Sequence, residues 1–327
     1  MGRQAVLHIP LHLRRDFDRR PPSQFYKRLS NALIERDYSV SLDPYERRGW
    51  QRIDPDDGRL HFVNNGNLQQ RNVLNTAIAH LDHFWQVDPK GVLCDSSIKD
   101  EVFDPTSIDK KAAWAFFQRL RKDYAFARKS RYGQPKDVAE VPRGVIAVFL
   151  QGASHITDRA RKFSTPDMIR SVAKGAGDRP ILVKPHPLKV ADEDLKAVAD
   201  LKASGVNIDI SEANVHDLLA AAFVTVSISS ACSFEGFLHK TPAVLYGHSD
   251  FHHFAESLGD LDGFEDAMAR ARARRGGYSG YVYWFLRNHC VWTRERNFWA
   301  KIDARIEALD LDGDSARADS SAQAASG

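Results

Sequence analysis

Short apolar runs closed by turn residues alternate with amphipathic stretches along most of this chain. Residues 5–9 form an apolar run closed by Pro10, and residues 60–63 form another closed by Asn64, Asn65 and Gly66; both predict strands. Between them, residues 22–36 carry apolar positions at helical spacing. The same spacing over residues 71–84 predicts a second helix, followed by a loop over residues 88–104. Residues 110–128 read as an amphipathic helix with Trp114, Phe117, Leu120 and Tyr124 along one stripe, and Tyr132, Gly133, Gln134 and Pro135 break the pattern after it. From Gly144 the rhythm is cleaner. β-rich runs at 145–150, 181–183, 206–210, 223–228 and 243–246 alternate with helical stretches, which predicts βαβ units and a parallel sheet.

This pattern divides the 327 residues into an N-terminal α/β lobe (1–143), a second α/β lobe (144–277), aromatic-rich helices (278–309) expected to pack over the lobe boundary, and an Asp-, Ser- and Ala-rich tail (310–327) expected to be disordered. Hydrophobic residues at 43% and charged residues at 27% exclude a fibrous or wholly disordered chain. A net charge of +3 is too mild to imply nucleic acid. Basic residues do cluster, at Arg14, Arg15, Arg19 and Arg20 and at Arg270, Arg272, Arg274 and Arg275. A solvated charged face accounts for both clusters, and an anionic partner such as a membrane surface or acidic glycan is the alternative. Three cysteines without CxxC spacing, no apolar stretch of signal-peptide type at Met1-Gly2-Arg3-Gln4 and no run of about 18 apolar residues lead us to expect a cytoplasmic protein, at most peripheral to the inner face of a membrane.

In open parallel sheets ligands bind beyond the carboxyl ends of the strands, so the residues that follow each strand carry the chemistry. Lys184-Pro185-His186-Pro187 presents a histidine between two φ-fixing prolines with a lysine two residues before it, either a phosphate-facing pair or a polar strand end. Ser229-Ser230 opens a helix that contains Glu235; its hydroxyls and free N–H groups suit an anion, or serve as a plain helix cap, and Glu235 suits a ribose hydroxyl. Gly247-His248-Ser249-Asp250-Phe251-His252-His253 is rich in histidine but lacks HExxH-type spacing, so we expect a ligand-covering loop and no metal.

Taken in this order, the three junctions resemble those of the bacterial capsule polysaccharide transferases that add β-linked Kdo (3-deoxy-manno-octulosonic acid), and less closely the bacterial sialyltransferases with their HP and SS motifs. The resemblance spans residues 80–255. It implies a GT-B-like α/β fold with two Rossmann-like lobes, an interlobe cleft and C-terminal helices. It also implies a CMP-sugar donor and a glycan or glycolipid acceptor, with no cofactor. By that match Lys184, His186, Pro187, Ser229 and Ser230 hold the donor, and Gln151 matches a glutamine of the family at the lobe junction. The catalytic carboxylate would lie in residues 81–92, although the family's Glu-Asp-Gly form is absent. Asp88, extended by Pro89 and followed by Gly91, is preferred over Asp82, which is expected on a helix, with Asp95 next. Two other readings remain open: a non-catalytic nucleotide-sugar-binding subunit of a polysaccharide assembly, and a CDP-glycerol-type polyol-phosphate transferase. Enzymes of the latter kind usually carry an aspartate just before the serines, where this chain has Ser227-Ile228.

Overall fold

The computed structural model describes residues 2–11, 13, 23–45, 53–152, 154–188 and 190–309; the expectations for Arg14, Arg15, Arg19 and Arg20 and for the tail from Asp310 fall outside these. The fold is α/β, with two Rossmann-like lobes each built on a six-stranded, parallel-rich sheet. By contacts, one compact unit comprises the described residues through Ala79, His83–Ser97 and those from Cys290 on, and the other comprises His80–Asp82 and Ile98–His289. Residues 98–143, which the division at residue 143 would give to the first lobe, therefore cluster with the second.

The first unit contains β1 (Arg3–Pro10), β2 (Tyr38–Tyr45), β3 (Arg59–Asn64), β4 (Val73–Ile78) and β5 (Phe84–Asp88), with helix α1 (Ser23–Ile34) following β1. The sheet is completed by the short strand Val291–Trp292, which pairs antiparallel with β5, while β1 to β4 run parallel. Helix α1 buries Phe25, Tyr26, Leu29, Ala32 and Leu33, and Phe25 stacks on Trp85 with ring centroids 4.2 Å apart. One expectation fails here: residues 71–84 form β4, a turn and the start of β5 rather than a helix. The residues from Val73 to Ala77 are all buried, with Asn75 and Thr76 bonded inside the unit, so polar side chains interrupt the apolar run and imitate a 3.6-residue period.

The second unit is a fully parallel sheet of β6 (Val145–Phe149), β7 (Ile181–Lys184), β8 (Ile208–Ile210), β9 (Ala222–Ser227), β10 (Ala243–Leu245) and β11 (Glu256–Ser257), in the order β11-β10-β9-β6-β7-β8. This is the doubly wound arrangement, in which the strand order reverses direction between β6 and β9. Its helices are α2 (Lys110–Leu120), α3 (His155–Ala160), α4 (Thr165–Gly175), α5 (Asp192–Ala203), α6 (Val215–Ala221), α7 (Ala231–Leu238), α8 (Phe264–Ala273) and α9 (Tyr278–Tyr283). Asp109 caps α2 by accepting from the N–H groups of Lys111 and Ala112, and the helix passes into a π turn over Arg121–Phe126. Phe117, Leu120 and Tyr124 are buried as their stripe predicts, but Trp114 is half exposed. No helix among the described residues is long and apolar enough to cross a membrane.

Candidate functional site

Four strands of the second unit end side by side, and the residues beyond them meet where the strand order reverses. Beyond β6, the Gln151 side-chain oxygen accepts from the Ser229 N–H at 2.7 Å, bridging β6 to β9 across the switch point. Three serines build the turn that follows β9. The Ser227 hydroxyl accepts from the Ser230 N–H at 3.0 Å and pairs with the Ser233 hydroxyl at 2.9 Å. Ser230, in extended conformation, accepts from the Cys232 N–H at 3.2 Å and so caps α7. The positive end of α7 thus faces the switch point. Beyond β10, a Cβ on Gly247 would lie 2.4 Å from the Ala160 carbonyl oxygen, so only glycine lets that loop pass α3.

At the end of β7, Lys184 Nζ donates to the Ala213 carbonyl at 2.7 Å, and burial lowers its pKa. His186 Nδ1 accepts from the Leu188 N–H at 3.3 Å, which leaves the ring proton on Nε2. Burial first, and the charge of Arg131 second, lower the His186 pKa, so at neutral pH it is a neutral hydrogen-bond donor. Pro187 is exposed beside it. The ring meets Tyr132 edge-on with centroids 5.1 Å apart.

Ser130, Arg131 and Tyr132 carry no sequence signal of their own, since residues 132–135 look like a simple chain break. Their segment is held by a clamp made at long range. Arg128 forms a two-pronged pair with Asp217 at 2.8 and 2.7 Å and donates to the Asp137 carbonyl, while Asn214 donates to the Pro135 carbonyl and His216 bonds the Lys129 carbonyl at 2.7 Å. The clamp fixes an aromatic ring, Tyr132, and a cation, Arg131, beside His186. Together Lys184, Arg131, His186 and the capped end of α7 form a positive, donor-rich corner suited to a phosphate.

The candidate carboxylates separate. Asp88 is buried in the first unit and accepts from the N–H groups of Lys90 (2.8 Å), Gly91 (3.1 Å) and Ser97 (2.9 Å) and from the Ser97 hydroxyl (2.6 Å), so both its oxygens are engaged in holding the loop after β5. Asp95 closes the next turn, against Gly91. Asp82 lies in a turn, not on the expected helix, and clusters with the second unit, where its backbone carbonyl accepts from the Tyr124 hydroxyl at 2.5 Å. Its carboxylate is close enough to Glu235 to disfavour ionisation there.

Glu235, on α7, is almost fully buried, accepts from the Ser130 hydroxyl at 2.8 Å and lies 3.5 Å from His216. Burial, reinforced by Asp82 and partly opposed by the Ser130 bond, pushes its pKa up to about 8. An acid whose folded pKa is raised favours folding below its unfolded value, near 4.5, and loses that advantage as pH rises through 8. Glu235→Gln is therefore expected to melt like the wild type near pH 5 and several degrees higher at pH 9. Equal melting temperatures at both pH values would contradict the buried, protonated state.

No family model and no curated protein matches the sequence. Among solved structures, the fold resembles Thermosulfurimonas dismutans KpsC, beta Kdo 2,7 transferase, at 14% identity and TM-score 0.53, covering 86% of this chain and 88% of that one. It also resembles the KpsC beta Kdo 2,4 transferase of the same organism, at 15% identity and TM-score 0.51, covering 85% of this chain and 89% of that one. At these identities the likeness is one of fold.

Proposed function

We propose that this chain is a glycosyltransferase that takes a sugar from a CMP-activated donor, Kdo on the motif resemblance, and passes it to a bacterial surface polysaccharide or glycolipid. The observation that carries this reading is the convergence of Lys184, Arg131, His186 and the Ser229–Ser230 cap at the switch point of a doubly wound sheet. A departing cytidylate gains charge on its phosphate, and prearranged donors that need not reorient stabilise that charge. Such a corner neutralises a single phosphate without a metal ion. Asp82, beside the helix that the serine turn opens, is the carboxylate we assign to the reacting centre, either trapping the oxocarbenium-like sugar or accepting the acceptor's proton.

CMP is expected to raise the melting temperature of the wild type where UDP, GDP and NAD do not, because stabilisation follows occupancy. His186→Ala should weaken CMP binding by about ten- to a hundredfold, the worth of one hydrogen bond to a charged group, with the ligand-free melting temperature unchanged. Equal shifts with UDP would point to a different nucleotide. Release of CMP from CMP-Kdo, but not from CMP-sialic acid, when an acceptor is supplied tests the transfer itself, and a chain that binds CMP but releases none from any donor is not a transferase.

A further inference from the structure

A cavity of about 310 Å³ opens in the second unit among Trp114 and Phe117 of α2, Lys240 after α7, and Arg272, Arg274 and Arg275 at and beyond the end of α8. Four of the residues that line it are cationic and none is acidic. It is distinct from the donor corner, since Lys240 follows the carboxyl end of α7 whereas Ser229–Ser230 precede its amino end, and eight helical residues span roughly 12 Å.

Two of these cations are braced by their neighbours and two are not. Arg272 places its guanidinium over the Phe223 ring at 4.4 Å, and Arg274 donates to the Phe254 carbonyl at 2.6 Å with Glu256 3.7 Å away, so ring contact and hydrogen bonds fix both guanidinium groups. Lys240 and Arg275 have no carboxylate within 4 Å among the described residues. Lys240 also occupies a left-handed position, φ 62°, just past the end of α7, where glycine is the inexpensive residue. A lysine there costs backbone strain, and its ammonium lies 5.8 Å from the centroid of the half-exposed Trp114 ring.

We propose that this cavity binds a phosphate ester, with the phosphate between Lys240 and Arg275 and the attached ring or glycerol on the face of Trp114. Arginine forks match phosphate oxygens, and an indole at the rim offers an apolar surface to the esterified part. A lipid headgroup and a phosphorylated sugar share this chemistry. The site stands independently of the donor reading.

The test uses the full chain with three probes: vesicles of phosphatidylcholine with and without phosphatidylglycerol, glucose 1-phosphate, and inorganic phosphate. Binding is expected to the phosphatidylglycerol vesicles, to glucose 1-phosphate, or to both, and to weaken as salt is raised. Vesicle binding alone identifies a lipid, and glucose 1-phosphate binding alone identifies a soluble ester. Lys240→Gly/Arg275→Ala should lower that affinity at least about tenfold while melting no lower than the wild type, because glycine relieves the left-handed strain, and its response to CMP should be unchanged. Trp114→Ala should weaken the ester probes more than inorganic phosphate. Failure of both ester probes to bind, or wild-type affinity in the double variant, overturns the proposal.

Discussion

Asp82→Asn is expected to lower sugar transfer by several orders of magnitude while leaving CMP affinity within about twofold of the wild type. Asparagine keeps the shape of the side chain and removes its charge, so a carboxylate that traps or deprotonates is lost without disturbing the turn, which the Tyr124 hydroxyl holds through the Asp82 backbone. Asp88→Asn is the informative contrast. Its carboxylate accepts from three backbone N–H groups and a serine hydroxyl, and an amide nitrogen turned toward any of those donors would oppose it. That variant should therefore unfold at lower temperature yet turn over normally while folded. Transfer and CMP release, measured alongside CMP binding and melting, separate the cases. If Asp88→Asn is folded and inactive while Asp82→Asn is active, the roles are exchanged. If both are active, the acid lies elsewhere, with Asp95 the next residue to substitute.

Those parts of the proposed donor corner that follow a strand are legible in sequence because they are local. Fully buried parallel strands read as continuous apolar runs, and the residues just past them are the ones the fold exposes, so Lys184, His186, Ser229 and Ser230 could be picked without knowing what packs where. Gln151 stands out only by family resemblance, because its bond to Ser229 depends on β6 and β9 being neighbours, which no local window contains. The clamp is less legible still. Arg128 and Asp217 are 89 residues apart, and nothing near either one announces the other, so the contribution of Arg131 and Tyr132 emerges only in three dimensions. The preference for Asp88 over Asp82 has two grounds in the sequence, the Pro89 and Gly91 cue at Asp88 and a helix expected over residues 71–84. Once buried Asn75 and Thr76 are recognised as interior hydrogen-bonding residues of β4, Asp82 moves to the turn after that strand, and the local cue from Pro89 and Gly91 at Asp88 becomes a description of a well-braced loop.

Asp250→Ala should lower the stability of the second unit by about 3–5 kcal/mol, the usual cost of removing one member of a buried pair, which for a unit of this size is on the order of 10 °C in melting temperature. Asp250 is fully buried and meets His80 Nε2 at 2.8 Å. The His80 ring is enclosed by aromatics, stacked on Phe234 at 5.1 Å and edge-on to Phe251 at 4.7 Å. Alanine at 250 takes the carboxylate away from the imidazole N–H inside that aromatic cage. Asp250→Asn keeps an acceptor oxygen and should cost less. The double variant Asp250→Ala/His80→Leu removes both polar partners together and should recover much of the loss, because the penalty comes from the orphaned group more than from the lost attraction. Thermal and denaturant unfolding of the three variants distinguishes these outcomes, and a loss below about 1 kcal/mol in Asp250→Ala would show that the pair is not structural. Phe234 stands on α7, four residues after the Ser230 cap, so the cage that encloses His80 also seats the helix whose amino end faces the donor corner. Loosening it should reduce the CMP-induced rise in melting temperature as well, whereas Glu235→Gln, which leaves the cage intact, should preserve that rise.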